Sequence, residues 1–169
     1  DAFRDPEVFW NHELGKWSML LHAAATKTAL GVFAVYVSDD LLHWSPRPPL
    51  AGVTGGDCPY VFSHGDSWYL IEDKDYCRSD HALGPYGPRQ VFDAGLFAVP
   101  KGMFDGARRI VAAWVQSLRD PKDANKETDA GLPDGPGIMG LLREVYVGDD
   151  GHLYQRVPKE TLNYFDRTV

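Results

Sequence analysis

The segment Arg4-Asp5-Pro6-Glu7-Val8-Phe9 returns 53 positions later as Asp57-Cys58-Pro59-Tyr60-Val61-Phe62. Each copy sets a carboxylate one or two residues before a proline, and each ends in Val-Phe. Each is followed by a polar turn and an aromatic-rich run: Gly15-Lys16-Trp17-Ser18-Met19 in the first, Gly65-Asp66-Ser67-Trp68-Tyr69 in the second. A third, weaker copy reads Met103-Phe104-Asp105-Gly106, followed by the run that ends at Trp114. A period of about 50 residues with strands inside each unit is the signature of a β-propeller. Equivalent positions of propeller blades face one central channel. The repeat therefore predicts that Asp5 and Asp57 meet at one site although they are distant in the chain.

The fold class that follows is all-β, a propeller within a single domain over 1–169. Blade-like units are expected at about 3–52, 53–91, 92–138 and 139–162. With 169 residues and roughly 40–50 per blade, the ring is expected to be incomplete, with three to four blades. Asp1 stands first rather than Met, which fits processing or truncation. An open ring exposes apolar flanks and strand edges. A homo-oligomer, or a second chain completing the ring, is the expected consequence.

Local patterns agree. Gly31-Val32-Phe33-Ala34-Val35-Tyr36-Val37 alternates small and large apolar residues as a buried strand does. Ser45-Pro46-Arg47-Pro48-Pro49 ends strand pairing, because proline has no N–H to donate. His64-Gly65-Asp66 and Gly148-Asp149-Asp150-Gly151 read as hairpin turns. Residues 118–136, rich in Asp, Lys, Gly and Pro, read as a long surface loop. No helix longer than about two turns is indicated.

Charge and composition exclude several roles. The formal charge is −7, from 17 basic and 24 acidic residues, and no basic stripe is present, so nucleic acid is not an expected partner. No apolar run approaches the roughly 18 residues of a membrane-spanning helix. Cys58 and Cys77 lack zinc spacing; two free thiols or a single bridge both fit. The six His show no ligand spacing, so no metal is expected, and no phosphate loop points to a cofactor. A minority of the five Trp at a cleft would suit the apolar faces of sugar rings.

Chemistry concentrates in the repeat. Asp57, between Gly55-Gly56 and Cys58-Pro59-Tyr60, reads either as a turn aspartate or as a partly desolvated carboxylate. Desolvation raises a carboxylic acid's pKa toward the range a general acid needs. Arg4 and Asp5 read either as a surface ion pair or as a donor–acceptor pair for adjacent sugar hydroxyls. Two carboxylates on facing blades are what glycoside hydrolysis requires. Asp57 and Asp5 are thus the candidate catalytic residues, and carbohydrate is the expected partner.

Phe3-Arg4-Asp5-Pro6-Glu7-Val8-Phe9 resembles the Arg-Asp-Pro motif of glycoside hydrolase family 32, the β-fructofuranosidases. Ser38-Asp39-Asp40-Leu41-Leu42-His43-Trp44 is similar to the stretch that follows it. Gly56-Asp57-Cys58-Pro59 falls where the family carries Glu-Cys-Pro. Leu83-Gly84-Pro85-Tyr86, Met103-Phe104-Asp105-Gly106 with Trp114, and Arg143-Glu144 with Leu153-Tyr154-Gln155-Arg156 resemble later landmarks in the same order. The resemblance implies a five-bladed propeller and a retaining mechanism on fructosides or related furanosides. Asp5 would stabilise the oxocarbenium-like transition state, and Asp57 would stand in for the acid/base glutamate. Arg4, Arg78 and Trp114 are the candidate substrate-binding residues. Two departures stand out: Asp57 is one methylene shorter than glutamate, and the family's Asn-Asp-Pro-Asn nucleophile motif does not occur. The chain begins where the second blade is expected. A glycoside hydrolase and a non-catalytic carbohydrate-binding or assembly module on the same scaffold are both open.

Overall fold

The computed structural model of the chain describes residues 2–25, 31–93, 97–115 and 138–165. The surface loop expected over 118–136 lies outside the described residues. The described chain is built of three antiparallel sheets and one short helix. The first sheet runs in order β1 (Ala2–Asn11), β2 (Lys16–Ala24), β3 (Val32–Ser38), β4 (Ser45–Arg47). Ser45-Pro46-Arg47, expected to end strand pairing, instead pairs with residues 35–37 as the edge strand, a place proline tolerates because one side of an edge strand needs no donor. The second sheet follows the same order with β5 (Tyr60–His64), β6 (Ser67–Glu72), β7 (Asp75–Ser79) and β8 (Gln90–Val91). In the third, β10 (Arg109–Val115) pairs on one edge with β9 (Phe97–Phe104). On its other edge it pairs with β11 (Ile138–Met139) and β12 (Arg143–Val147), and β13 (Leu153–Arg156) closes the sheet. The helix α1 (Lys159–Phe165) follows.

Two four-stranded meanders and a five-stranded third sheet, in succession, are the blades of an incomplete propeller. The units expected at 92–138 and 139–162 share one sheet, because Arg109, Ile110 and Val111 of β10 pair with Val145, Glu144 and Arg143 of β12. The final hairpin looks self-contained in sequence, but a two-stranded ribbon is marginal alone and finds its partner edge on β10.

The cores explain the patterns. All six residues of β6 are buried, because the second sheet is covered on both faces. Alternate side chains point to opposite faces. Trp68 and Leu70 therefore join Phe9, Leu20, Phe33 and Val35 of the first sheet. Tyr69 and Ile71 join Phe97, Val111, Val145 and Leu153 of the third. Both cysteines are free.

The repeat has a backbone signature. Asp5, Cys58 and Val99 have φ of 58°, 53° and 51°, and each immediately precedes a proline. Left-handed backbone costs a non-glycine residue about 1 kcal/mol or more. In β1 the register shifts between Arg4 and Glu7, and between β10 and β9 it shifts between Ala112 and Trp114, opposite Val99. Each innermost strand thus carries a bend at its start. The third copy of the repeat is therefore Ala98-Val99-Pro100. Met103-Phe104-Asp105-Gly106, where the sequence suggested it, forms the far end of β9 and its hairpin, with Gly106 at φ 99°. The true third copy carries alanine where the other two carry Arg4 and Asp57, so residue types alone hide it.

Candidate functional site

Arg4 lies on β1 and Asp57 precedes β5, and the left-handed bends that follow them bring the two together. The Arg4 Nη2 donates to both carboxylate oxygens of Asp57 at 2.8 Å, and Nε donates to Oδ1 at 3.2 Å. The Asp5 Oδ2 lies 3.3 Å from the same Nε. Both candidate catalytic carboxylates thus contact one guanidinium. A two-pronged arginine–carboxylate contact fixes orientation as well as charge. The Cys58 thiol is pushed up by burial and then by the charge of Asp5, to which it is hydrogen-bonded. It stays protonated beside the carboxylates.

Asp57 is not desolvated. Its side chain is 51% exposed and that of Arg4 57%. The glycines and apolar neighbours that suggested burial turn away from it: Pro59 and Tyr60 enter the core while Asp57 faces outward. Two other carboxylates, neither singled out by the sequence, are raised by burial beside this cluster. Glu7, on β1, accepts from Lys101 of β9 at 2.7 Å, and Lys101 also donates to the Pro59 carbonyl. The Val61 N–H donates to the other Glu7 oxygen at 3.4 Å. Burial raises the Glu7 carboxyl despite Lys101. One carboxylate therefore ties the inner strands of all three sheets together.

Glu72 ends β6. Its carboxylate is packed on Gly56, where an added Cβ would fall 1.2 Å from Oε1. Arg89 donates to the other oxygen. Burial again raises the Glu72 carboxyl; Arg89 opposes the shift, and Asp57 is among the charges that Glu72 feels. Gly56 is thus required by the close approach of a side chain next to Asp57. Neither glutamate carries a local signal, since a charged residue within or at the end of a strand reads as a solvated face.

The other two candidate binding residues lie elsewhere. Arg78 pairs with Tyr69 on β6 and donates to Ser67 Oγ at 3.0 and 2.8 Å. Ser67 flanks the His64–Ser67 hairpin, at the opposite end of the second sheet from Asp57 and Glu72. There Arg78 braces a turn, and it does not join the cluster. Trp114 sits on β10 opposite Ala98 and Met139 and takes no part in the Arg4–Asp57 contact. A cavity of about 440 Å³ also opens at the far end, lined by Phe62, His64, Phe104, Arg109, Glu144 and Tyr146 among others. Its lining includes neither Asp5 nor Asp57, so this cavity and the carboxylate cluster are at different ends.

Comparison with known proteins agrees with the motif order. Residues 1–55 match the model of the glycosyl hydrolases family 32 N-terminal domain. A β-fructofuranosidase, insoluble isoenzyme, of Arabidopsis thaliana is 27% identical over 96% of this chain and 35% of its own length. A probable sucrose-6-phosphate hydrolase of Vibrio cholerae is 39% identical over 52% of this chain and 14% of its own. Among solved structures, a fructan 1-exohydrolase of Cichorium intybus in complex with 1-kestose superposes with a TM-score of 0.67 at 20% identity. That superposition covers 95% of this chain and 36% of the other. The chain spans about a third of the length of the Arabidopsis relative.

Proposed function

We propose, starting from a chain that belongs with glycoside hydrolase family 32 in motif order, sequence and fold, that it forms part of a glycoside hydrolase acting on fructosides or related furanosides. The observation that carries this is the Arg4–Asp57 contact, with Asp5 on the same guanidinium. It gathers at one exposed surface the acid, the second carboxylate and the arginine that sugar chemistry uses. In this reading Asp5 accepts from furanose hydroxyls and faces the positive charge that develops at the anomeric carbon. Asp57 exchanges the proton of the leaving oxygen. Arg4 must release at least one oxygen of Asp57 for that, so a sugar hydroxyl replaces it as partner. The family's nucleophile has no counterpart motif in this chain, and the reading assigns none of these residues to that role.

A second reading is favoured by one observation: Arg4 occupies both oxygens of Asp57, which suits a fixed anion better than a proton donor. A carbohydrate-binding or assembly module on a propeller scaffold would use the same residues to hold a sugar without cleaving it. Asp57→Asn separates the two. An amide is nearly isosteric but donates no acidic proton. If Asp57 is the acid, the variant loses hydrolysis of sucrose or 1-kestose, while an activated aryl fructoside, whose leaving group needs little protonation, loses far less. Equal rates for variant and parent on the natural sugars would remove Asp57 from catalysis. Binding without turnover in either form, measured by calorimetry, would favour the module.

A further inference from the structure

His22 was not among the residues the sequence pointed to, yet the fold is shaped around it. It pairs with Arg4 across β1 and β2. Its ring fills a notch opposite Gly31, where an added Cβ would come within 2.3 Å of Cε1 and 2.8 Å of Nδ1. The notch is fixed by the bridge between Gly31 and Gly55, whose N–H donates to the Gly31 carbonyl at 2.9 Å. The segment Gly55-Gly56-Asp57 thus bridges to the glycine that makes room for the imidazole, and it carries the carboxylate. The side chain is only 12% exposed, and Nε2 lies 3.9 Å from Asp57 Oδ1. Nδ1 is buried with no hydrogen-bond partner.

We propose that His22 is a positioning residue for Asp57, the partner that holds Oδ1 when Arg4 turns to a bound sugar. Carboxylate oxygens only accept, and a neutral imidazole has one donor nitrogen, placed by whichever acceptor is in reach. Here the acceptor is Asp57, so the proton resides on Nε2 and Nδ1 is a bare lone pair. At 3.9 Å the contact is longer than a hydrogen bond. In the free chain Arg4 already supplies Oδ1 with two donors. Once a sugar hydroxyl draws Arg4 away, a shift of about 1 Å closes the imidazole onto Oδ1. Asp57 then keeps its orientation while its other oxygen faces the sugar. This role rests on the sugar-binding reading above, but the placement of the proton does not.

The test has two arms. Nitrogen NMR of His22 in the free wild-type chain reads the tautomer without any sugar. The Nε2–H form is expected, giving way to a mixture in Asp57→Ala; a Nδ1–H form in the wild type overturns the proposal. The second arm titrates sucrose and 1-kestose into His22→Leu and His22→Gln. The leucine variant is expected to bind about tenfold more weakly, the loss of one charge-assisted hydrogen bond. The glutamine variant, whose amide can donate to Oδ1, recovers most of it. Equal loss in both variants overturns the handover. If the wild type binds neither sugar but shows the Nε2–H form that Asp57→Ala disturbs, the functional reading falls while the His22–Asp57 pairing stands.

Discussion

Asp57 shows how little a residue's immediate neighbours report about its surroundings. Its flanking glycines and apolar residues suggested a shielded carboxyl, but it is the exposed partner of Arg4. The shielded carboxyl is Glu72, packed on the adjacent glycine. Gly56→Ala should push Glu72 off Arg89 and destabilise the chain by about 1–3 kcal/mol, the range for leaving a buried polar group unpaired. In a Glu72→Ala background the same substitution should cost clearly less, because the obstacle is gone; denaturant melts of the four proteins in this cycle measure the difference. Glu72 also makes a pH prediction. Its carboxyl is raised in the fold by burial, so its favourable contribution is present below the ordinary glutamate range and is lost as pH rises through the raised value. Glu72→Gln stays neutral throughout. The melting temperature of the variant minus that of the wild type should therefore rise between about pH 4 and 7; a flat or falling difference would show that Arg89 outweighs burial.

At the scale of elements, the device that builds the site is a bend in the innermost strand of each blade. Asp5, Cys58 and Val99 adopt left-handed backbone before proline, and the two bends that follow a charged residue turn that residue toward its counterpart. The strands are then tied across the centre by Glu7 and Lys101, 94 residues apart. Lys101→Met should leave the mostly buried Glu7 without its cation and cost about 1–3 kcal/mol. That is less than a fully buried pair would cost, because Lys101 is partly exposed. Adding Glu7→Gln to that variant should restore much of the loss. If urea melts show the two substitutions to be additive, the bridge does not couple the sheets.

At the scale of the molecule, the middle sheet packs on both faces and, among the described residues, the outer two pack on one. The uncovered face of the first sheet includes Val8 and Trp10, and that of the third includes Trp114, Tyr146 and Tyr154, all at least a third exposed. Large apolar side chains exposed on a sheet face favour association. The isolated chain is expected to self-associate with rising concentration in sedimentation, and Trp10→Ser should weaken that association without lowering the melting temperature by more than a few degrees. A strict monomer at high concentration, in the wild type, would rule this out.

Most strands, the hairpin turns, the all-β propeller class and the approach of Arg4, Asp5 and Asp57 were legible in the residues, but the proline-bearing edge strand β4 was not. Alternation, proline and glycine act within a few residues, and the repeat carries the geometry of one blade onto the next. What the sequence could not determine is which charged side chains are shielded or tied across the fold. Glu7, Glu72, Lys101 and His22 stand among residues that look like solvated strand faces, and their partners are 94, 17, 94 and 35 positions away. Stacking of the sheets brings Lys101 to Glu7, the Gly31–Gly55 bridge brings Asp57 toward His22, and strand order within the second sheet brings Arg89 to Glu72. Strand pairing joined the last hairpin to the third sheet, the bend before Pro100 placed the third copy of the repeat at Ala98-Val99-Pro100, and the register of β7 on β6 set Arg78 at the opposite end. Such outcomes depend on pairing between distant segments, which composition and local spacing do not encode.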